Sequence, residues 1–148
     1  MGLEEDIKQK KFINEHHKAV VNIIFTNNWI NTIHARFLKQ YGISPQQFNI
    51  LRILRGQFPS PATVNLLIER MLDKMSNASR LVEKLRVKEL VERQQNGQDR
   101  RAVDVLITQK GLDLLEVLDK NMDILNMAGD ITKTEALELN RILDKMRK

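Results

Sequence analysis

Asp99 and Arg101 stand two residues apart, directly behind Asn96 and Gly97, with Arg100 between them. In an extended strand residues two apart point the same way, so the acid and the second arginine would share a face while Arg100 takes the other. A carboxylate beside a guanidinium holds it in one orientation through charge-assisted hydrogen bonds, which suits a group that must enter a narrow, electronegative groove. The same stretch also reads as a solvated hairpin turn, because Asn-Gly is the strongest short signal for a tight reversal, and exposed ion pairs contribute only ~0–1 kcal/mol.

A second constellation lies upstream. Asn77, Arg80 and Lys84 recur at i, i+3 and i+7, which a helix gathers on one face, and Lys74, Ser76 and Ser79 share that side. Asn pairs bidentately with adenine, Arg with guanine or phosphate, and small serines let a helix approach a surface closely. Between Arg70 and Arg101 there are nine basic residues and five acidic ones, an excess of four out of a net charge of +5 for the whole chain. The positive charge is therefore concentrated where these two constellations fall, as phosphate neutralisation requires.

Other chemistries find little support. The chain has no cysteine, which removes disulfides, thiolate metal sites and thiol redox sensing. There is no G-x-S-x-G, no phosphate-binding glycine loop and no H-E-x-x-H, so no enzyme activity, cofactor or metal is expected. His16 and His17 are helix neighbours that point apart, and His34 is far away in sequence, so all three are read as surface or core residues. The N-terminus carries acids and lysines where a signal peptide needs an apolar stretch, and no segment approaches the ~18 apolar residues of a membrane span; a cytoplasmic location follows as the expectation.

The elements that must position these residues follow from periodicity. Val20, Ile23, Ile24, Ile30, Ile33 and Phe37 predict one long helix from Lys8 to Gln40, ended by Gly42, with the weak formers "TNN" at Thr26 to Asn28 as the place where it would break. A second helix, opened by Ser44 and Pro45 and ended by Gly56, buries Phe48, Leu51 and Leu54. A third, from Thr63 to Met71, turns Val64, Leu67 and Ile68 inward. The fourth, from Lys74 to Lys88 with Asp73 as N-cap, carries Ala78, Leu81, Val82 and Leu85 on its core side. "LVERQQ" and "RAVDVLI" flank Asn96-Gly97 as a two-stranded hairpin, the only convincing β signal. A fifth helix from Thr108 to Met127 and a sixth from Thr132, with a Thr132/Glu135 capping box, complete the chain. The fifth bears two apolar rows, Leu112, Leu115, Leu118, Met122 and Leu125 beside Leu114, Val117 and Ile124, more than one neighbour needs, so the terminal helices are expected to pack on a second copy.

Two short helices and a hairpin in this order describe a winged helix-turn-helix, whose second short helix enters the major groove and whose hairpin, the wing, reaches the adjacent backbone or minor groove. The expected fold is mostly α with a small two-stranded β-wing: residues 1–40 and 109–148 as dimerisation helices around a DNA-binding domain at 41–108. The segment Ser76 to Gly111 resembles the MarR family of bacterial transcription regulators, including the wing signature D-x-R-x-x-x-x-x-[LI]-T-x-x-G at Asp99, Arg101, Ile107, Thr108 and Gly111. The resemblance implies that Asp99 orients Arg101, that Arg101 probes the minor groove, and that the fourth helix reads the major groove. It implies a homodimeric repressor on a pseudo-palindromic operator, and a small-molecule effector pocket around His17, Val21 and Trp29. The sequence departs from the family in lacking the glycine often found before the recognition helix, and in its polar first wing strand, "ERQQ". A helical winged-domain module for protein contacts without specific DNA binding is the alternative.

Overall fold

In the computed structural model, which describes residues 2–121 and 129–148, the chain divides into two units, Met1–Pro45 and Gln46–Lys148. The first holds α1 (Leu3–Asp6) and α2 (Glu15–Lys39). The helix expected from Lys8 therefore starts at Glu15, because the Asn14 side chain caps it by accepting from the His17 amide at 2.9 Å. It runs unbroken through "TNN", and Gly42 follows in the left-handed region at φ 74°.

The second unit is built on α3 (Pro45–Gln57), β1 (Ala62–Thr63), α4 (Val64–Arg70), α5 (Ala78–Val87), β2 (Val91–Gln95), β3 (Val103–Ile107), α6 (Gln109–Asn121) and α7 (Lys133–Met146). Its core comprises Phe48, Ile50, Leu51 and Leu54 of α3, Leu67 of α4, Ala78, Val82 and Leu85 of α5, and Leu115 and Leu118 of α6. Ile68, expected inside, is exposed: the seven-residue α4 turns only Leu67 fully inward. Met122, Ile124, Leu125 and the end of the fifth helix lie outside the described residues.

The wing hairpin pairs Val91 with Ile107 and Gln95 with Val103, antiparallel. It is part of a three-stranded sheet of order β1-β3-β2, in which Ala62 and Thr63 pair with Val105 and Asp104. The sequence reading lacked this third strand: two residues beside Pro61 carry no alternation. Its consequence is that Thr63, which N-caps α4 by accepting from the Leu66 amide at 3.1 Å, is also paired with Asp104 of the wing.

The turn from α5 into the wing closes without glycine. The Leu90 amide donates to Leu85 O at 3.0 Å and the Glu89 amide to Arg86 O at 2.9 Å, a Schellman arrangement with Glu89 left-handed at φ 62°. A side chain in that region costs about 1–2 kcal/mol, part of which glycine's extra unfolded-state freedom returns. Glu89→Gly is therefore expected to raise the unfolding free energy by up to about 1 kcal/mol, read from urea denaturation. A loss of stability would show the turn to be held otherwise.

Candidate nucleic-acid interface

The turn between α4 and α5 needs no glycine either, because side chains tie it down. Lys74 donates from Nζ to the carbonyls of Ile68, at 3.3 Å, and Glu69, closing the C-terminal end of α4. The Leu72 amide donates to Asn49 Oδ1 at 2.9 Å, and the Met75 amide to Asp73 Oδ1 at 3.0 Å. Asp73 also accepts from Gln46, and the Met75 amide, then Gln46, hold its carboxyl below the usual carboxylate range.

Two expectations change here. The recognition helix begins at Ala78, and its N-cap is Asn77 rather than Asp73: Asn77 Oδ1 accepts from the Arg80 amide at 3.1 Å. Asp73 closes the turn before it. The expected cap thus lies four residues early, and Ala78, the first residue of the helix, is buried. Asn77→Ala should cost about 1 kcal/mol of stability in denaturant titration, with Asn77→Ser close to wild type; equal stability of all three would deny the cap.

Gln46, Ser76, Asn77, Arg80, Leu81 and Lys84 line one shallow hollow along this helix, and Ser79 is exposed close by. Sequence reading missed Gln46, which reaches the site from α3. Of the expected set, Lys74 is engaged with the end of α4, whereas Arg80 and Lys84 form no ion pair among the described residues. Arg86 and Arg93 are both taken up by Glu83, at 2.7 and 3.0 Å, which joins the recognition helix to the first wing strand. The Glu83 carboxyl is held low by the hydrogen-bonded Arg86 guanidinium, which is raised in turn.

At the wing tip the expected Asn-Gly reversal is replaced by a longer loop, residues 96–102. Asn96 Oδ1 accepts from the amides of Gln98 at 2.8 Å and Asp99 at 2.9 Å, and the Asn96 amide donates to Ala102 O at 3.2 Å. Gly97 does not take a positive φ, so no type I′ turn forms. Asp99 and Arg101 consequently lie in the loop, not on a strand face. Asp99 Oδ1 accepts from the Arg101 backbone amide at 2.9 Å and forms no ion pair with its guanidinium. The acid shapes the loop, and Arg100 and Arg101 are left without ion pairs among the described residues.

The end of the signature secures the wing's root. Thr108 Oγ1 donates to Glu89 O at 2.7 Å and accepts from the Gly111 amide at 3.1 Å, while its own amide donates to Leu90 O at 3.1 Å. A Cβ on Gly111 would stand 2.5 Å from Leu90 O, which is why the position takes glycine. On α2, His17 accepts from the Ile13 amide at 3.2 Å and packs edge-on to Phe12, Val21 is half-buried and Trp29 half-exposed.

Two short helices at a tied turn, the second offering free basic groups, and a wing offering two more, define a winged helix-turn-helix protein. Residues 41–102 match the family model described as MarR family. The HTH-type transcriptional regulator MgrA of Staphylococcus aureus is 26% identical over 111 residues, covering 75% of this chain and 74% of MgrA. Among solved structures, a MarR-like transcription regulator from Bacillus cereus aligns with TM-score 0.78 at 24% identity, over 90% of this chain and 96% of that one. A MarR variant from E. coli complexed with operator DNA aligns with TM-score 0.77 at 22% identity, over 93% and 99%. Residues 41–102 are thus similar to the MarR family, and the fold is that of its winged helix-turn-helix members. No helix among the described residues is long and apolar enough to cross a membrane.

Proposed function

We propose that the chain is a repressor that binds a pseudo-palindromic operator as a homodimer, with α5 in the major groove and the wing tip at the minor groove. The observation that carries the contact assignment is the sorting of the basic residues. Arg86, Arg93 and Lys74 are engaged within the protein, and Arg80, Lys84, Arg100 and Arg101 form no ion pair among the described residues, which leaves them for phosphates and base edges. Ser76 and Ser79 let the helix approach, Asn77 keeps Nδ2 available as a donor while Oδ1 caps, and Asp99 fixes the backbone from which Arg101 projects. The second copy is supported by α7, none of whose residues is buried although Leu139, Ile142 and Met146 share one apolar face. Release by a small molecule fits along α2, where the half-exposed indole of Trp29, the sole tryptophan, with Val21 and His17 further up the helix, offers an aromatic surface and a fluorescence readout.

The test is titration of the full chain with duplexes enriched from a random-sequence pool, at two salt concentrations. A dimer presenting these four cations twice should lose roughly 10³–10⁵ in affinity between about 50 and 200 mM salt. Arg80→Ala and Arg101→Ala should each weaken binding by roughly tenfold to a hundredfold. Salt-independent or absent duplex binding would instead favour a protein-contact module.

A further inference from the structure

Leu72 and Met75, in the turn ahead of the recognition helix, are the two most exposed large apolar side chains among the described residues, at 87% and 94%. Their exposure is imposed by the backbone. Met71 just before them is buried, the Leu72 amide is held by Asn49, and the Met75 amide is held by Asp73. Two residues after Met75 comes Asn77, the N-cap of α5. The apolar pair thus sits at the leading end of α5, with Arg80 and Lys84 further along it.

An apolar side chain left in water gains by being covered, and the surrounding cations select what covers it. A polyanion is favoured, and the apolar group that duplex DNA displays in its major groove is the C5 methyl of thymine. Methionine's flexible thioether suits such a contact because it adapts to the position of a methyl. We propose that Met75, with Leu72 beside it, forms an apolar tip that reads thymine methyl groups at the edge of each half-site. The inference rests on the DNA-binding reading above and adds to it a specificity determinant that makes no hydrogen bond.

Uracil differs from thymine by that methyl alone, so the experiment replaces thymines one at a time by uracil in an enriched duplex. Wild type should bind about fourfold more weakly when uracil occupies one or two particular positions of a half-site, the effect of losing one buried methyl. Met75→Ala and Met75→Gln, the second keeping length without an apolar end, should bind thymine and uracil duplexes alike at the position Met75 reads, and Leu72→Ala should do so at any position Leu72 reads. Far-UV circular dichroism confirms that the variants fold. Uniform indifference of wild type to uracil, or an equal uracil penalty in wild type and all variants, overturns the proposal. Failure to enrich any duplex overturns the DNA-binding reading itself and is recognised before uracil is introduced.

Discussion

Leu139→Glu combined with Ile142→Glu is expected to give a folded monomer whose duplex affinity is lower by roughly 10²–10⁴. The reason starts with α7, which spans Lys133–Met146 and has no buried residue. Its start is well made: Thr132 accepts from the Glu135 amide at 3.2 Å and Glu135 accepts from the Thr132 amide at 2.7 Å. A good cap does not make so short a helix stable in water, which ordinarily requires packing of an apolar face. Leu139, Ile142 and Met146, at i, i+3 and i+7, supply such a face, and Val20, Ile23 and Ile24 expose another on α2. A second copy is the cover proposed for both, and two glutamates on the α7 face would leave charges buried and unpaired in that interface. Each monomer would then bind one half-site without the effective concentration that a linked partner provides. Sedimentation equilibrium and duplex titration read the two effects together. A wild-type monomer at micromolar concentration, or a double variant that still dimerises, defeats the dimer.

Gly111→Ala is expected to destabilise the protein by about 3 kcal/mol, although alanine is the better helix former. The added methyl would meet Leu90 O at 2.5 Å and Ile107 Cγ1 at 2.7 Å. Leu90 O cannot give way freely, because it accepts the Thr108 amide and lies in the turn that joins α5 to the wing. Ile107 is buried and paired with Val91. Gly97→Ala is the control: nothing lies within 4 Å and the backbone is not left-handed, so its effect should stay within about 0.5 kcal/mol. Urea denaturation of both variants decides the matter, and similar stabilities for the two would remove the packing explanation of the signature glycine.

The parts of this fold that could be read from sequence are those where one face is buried and the other is wet. Phe48, Leu51 and Leu54, then Val82 and Leu85, repeat with the helical period and are buried as expected. The wing strands and the Thr132 cap follow for similar local reasons. What escaped was decided by competition between near-equal local signals or by distant partners. Asp73 and Asn77 are both residue types that cap helices, and it is Asn77 that accepts the Arg80 amide while Asp73 accepts that of Met75. β1 is two residues long and exists because β3 lies beside it. Asn96-Gly97 could have made a tight turn, but Asn96 accepts two amides and opens a longer loop. Gln46 and Asn49 act on a turn more than twenty residues away, which no periodicity reports.

Because Asp99 holds an amide and not a guanidinium, the outline of the wing tip does not depend on attraction between opposite charges. Its internal bonds join N–H groups to side-chain and carbonyl oxygens only a few residues apart, and mobile ions in solution screen these short contacts little. The loop should therefore keep its shape from dilute buffer to concentrated salt, and amide chemical shifts from Asn96 to Ala102 would stay fixed while the arginine heads above them change their ion atmosphere. A salt titration of complex formation then measures displaced counterions alone, with no contribution from a tip that melts or reorganises.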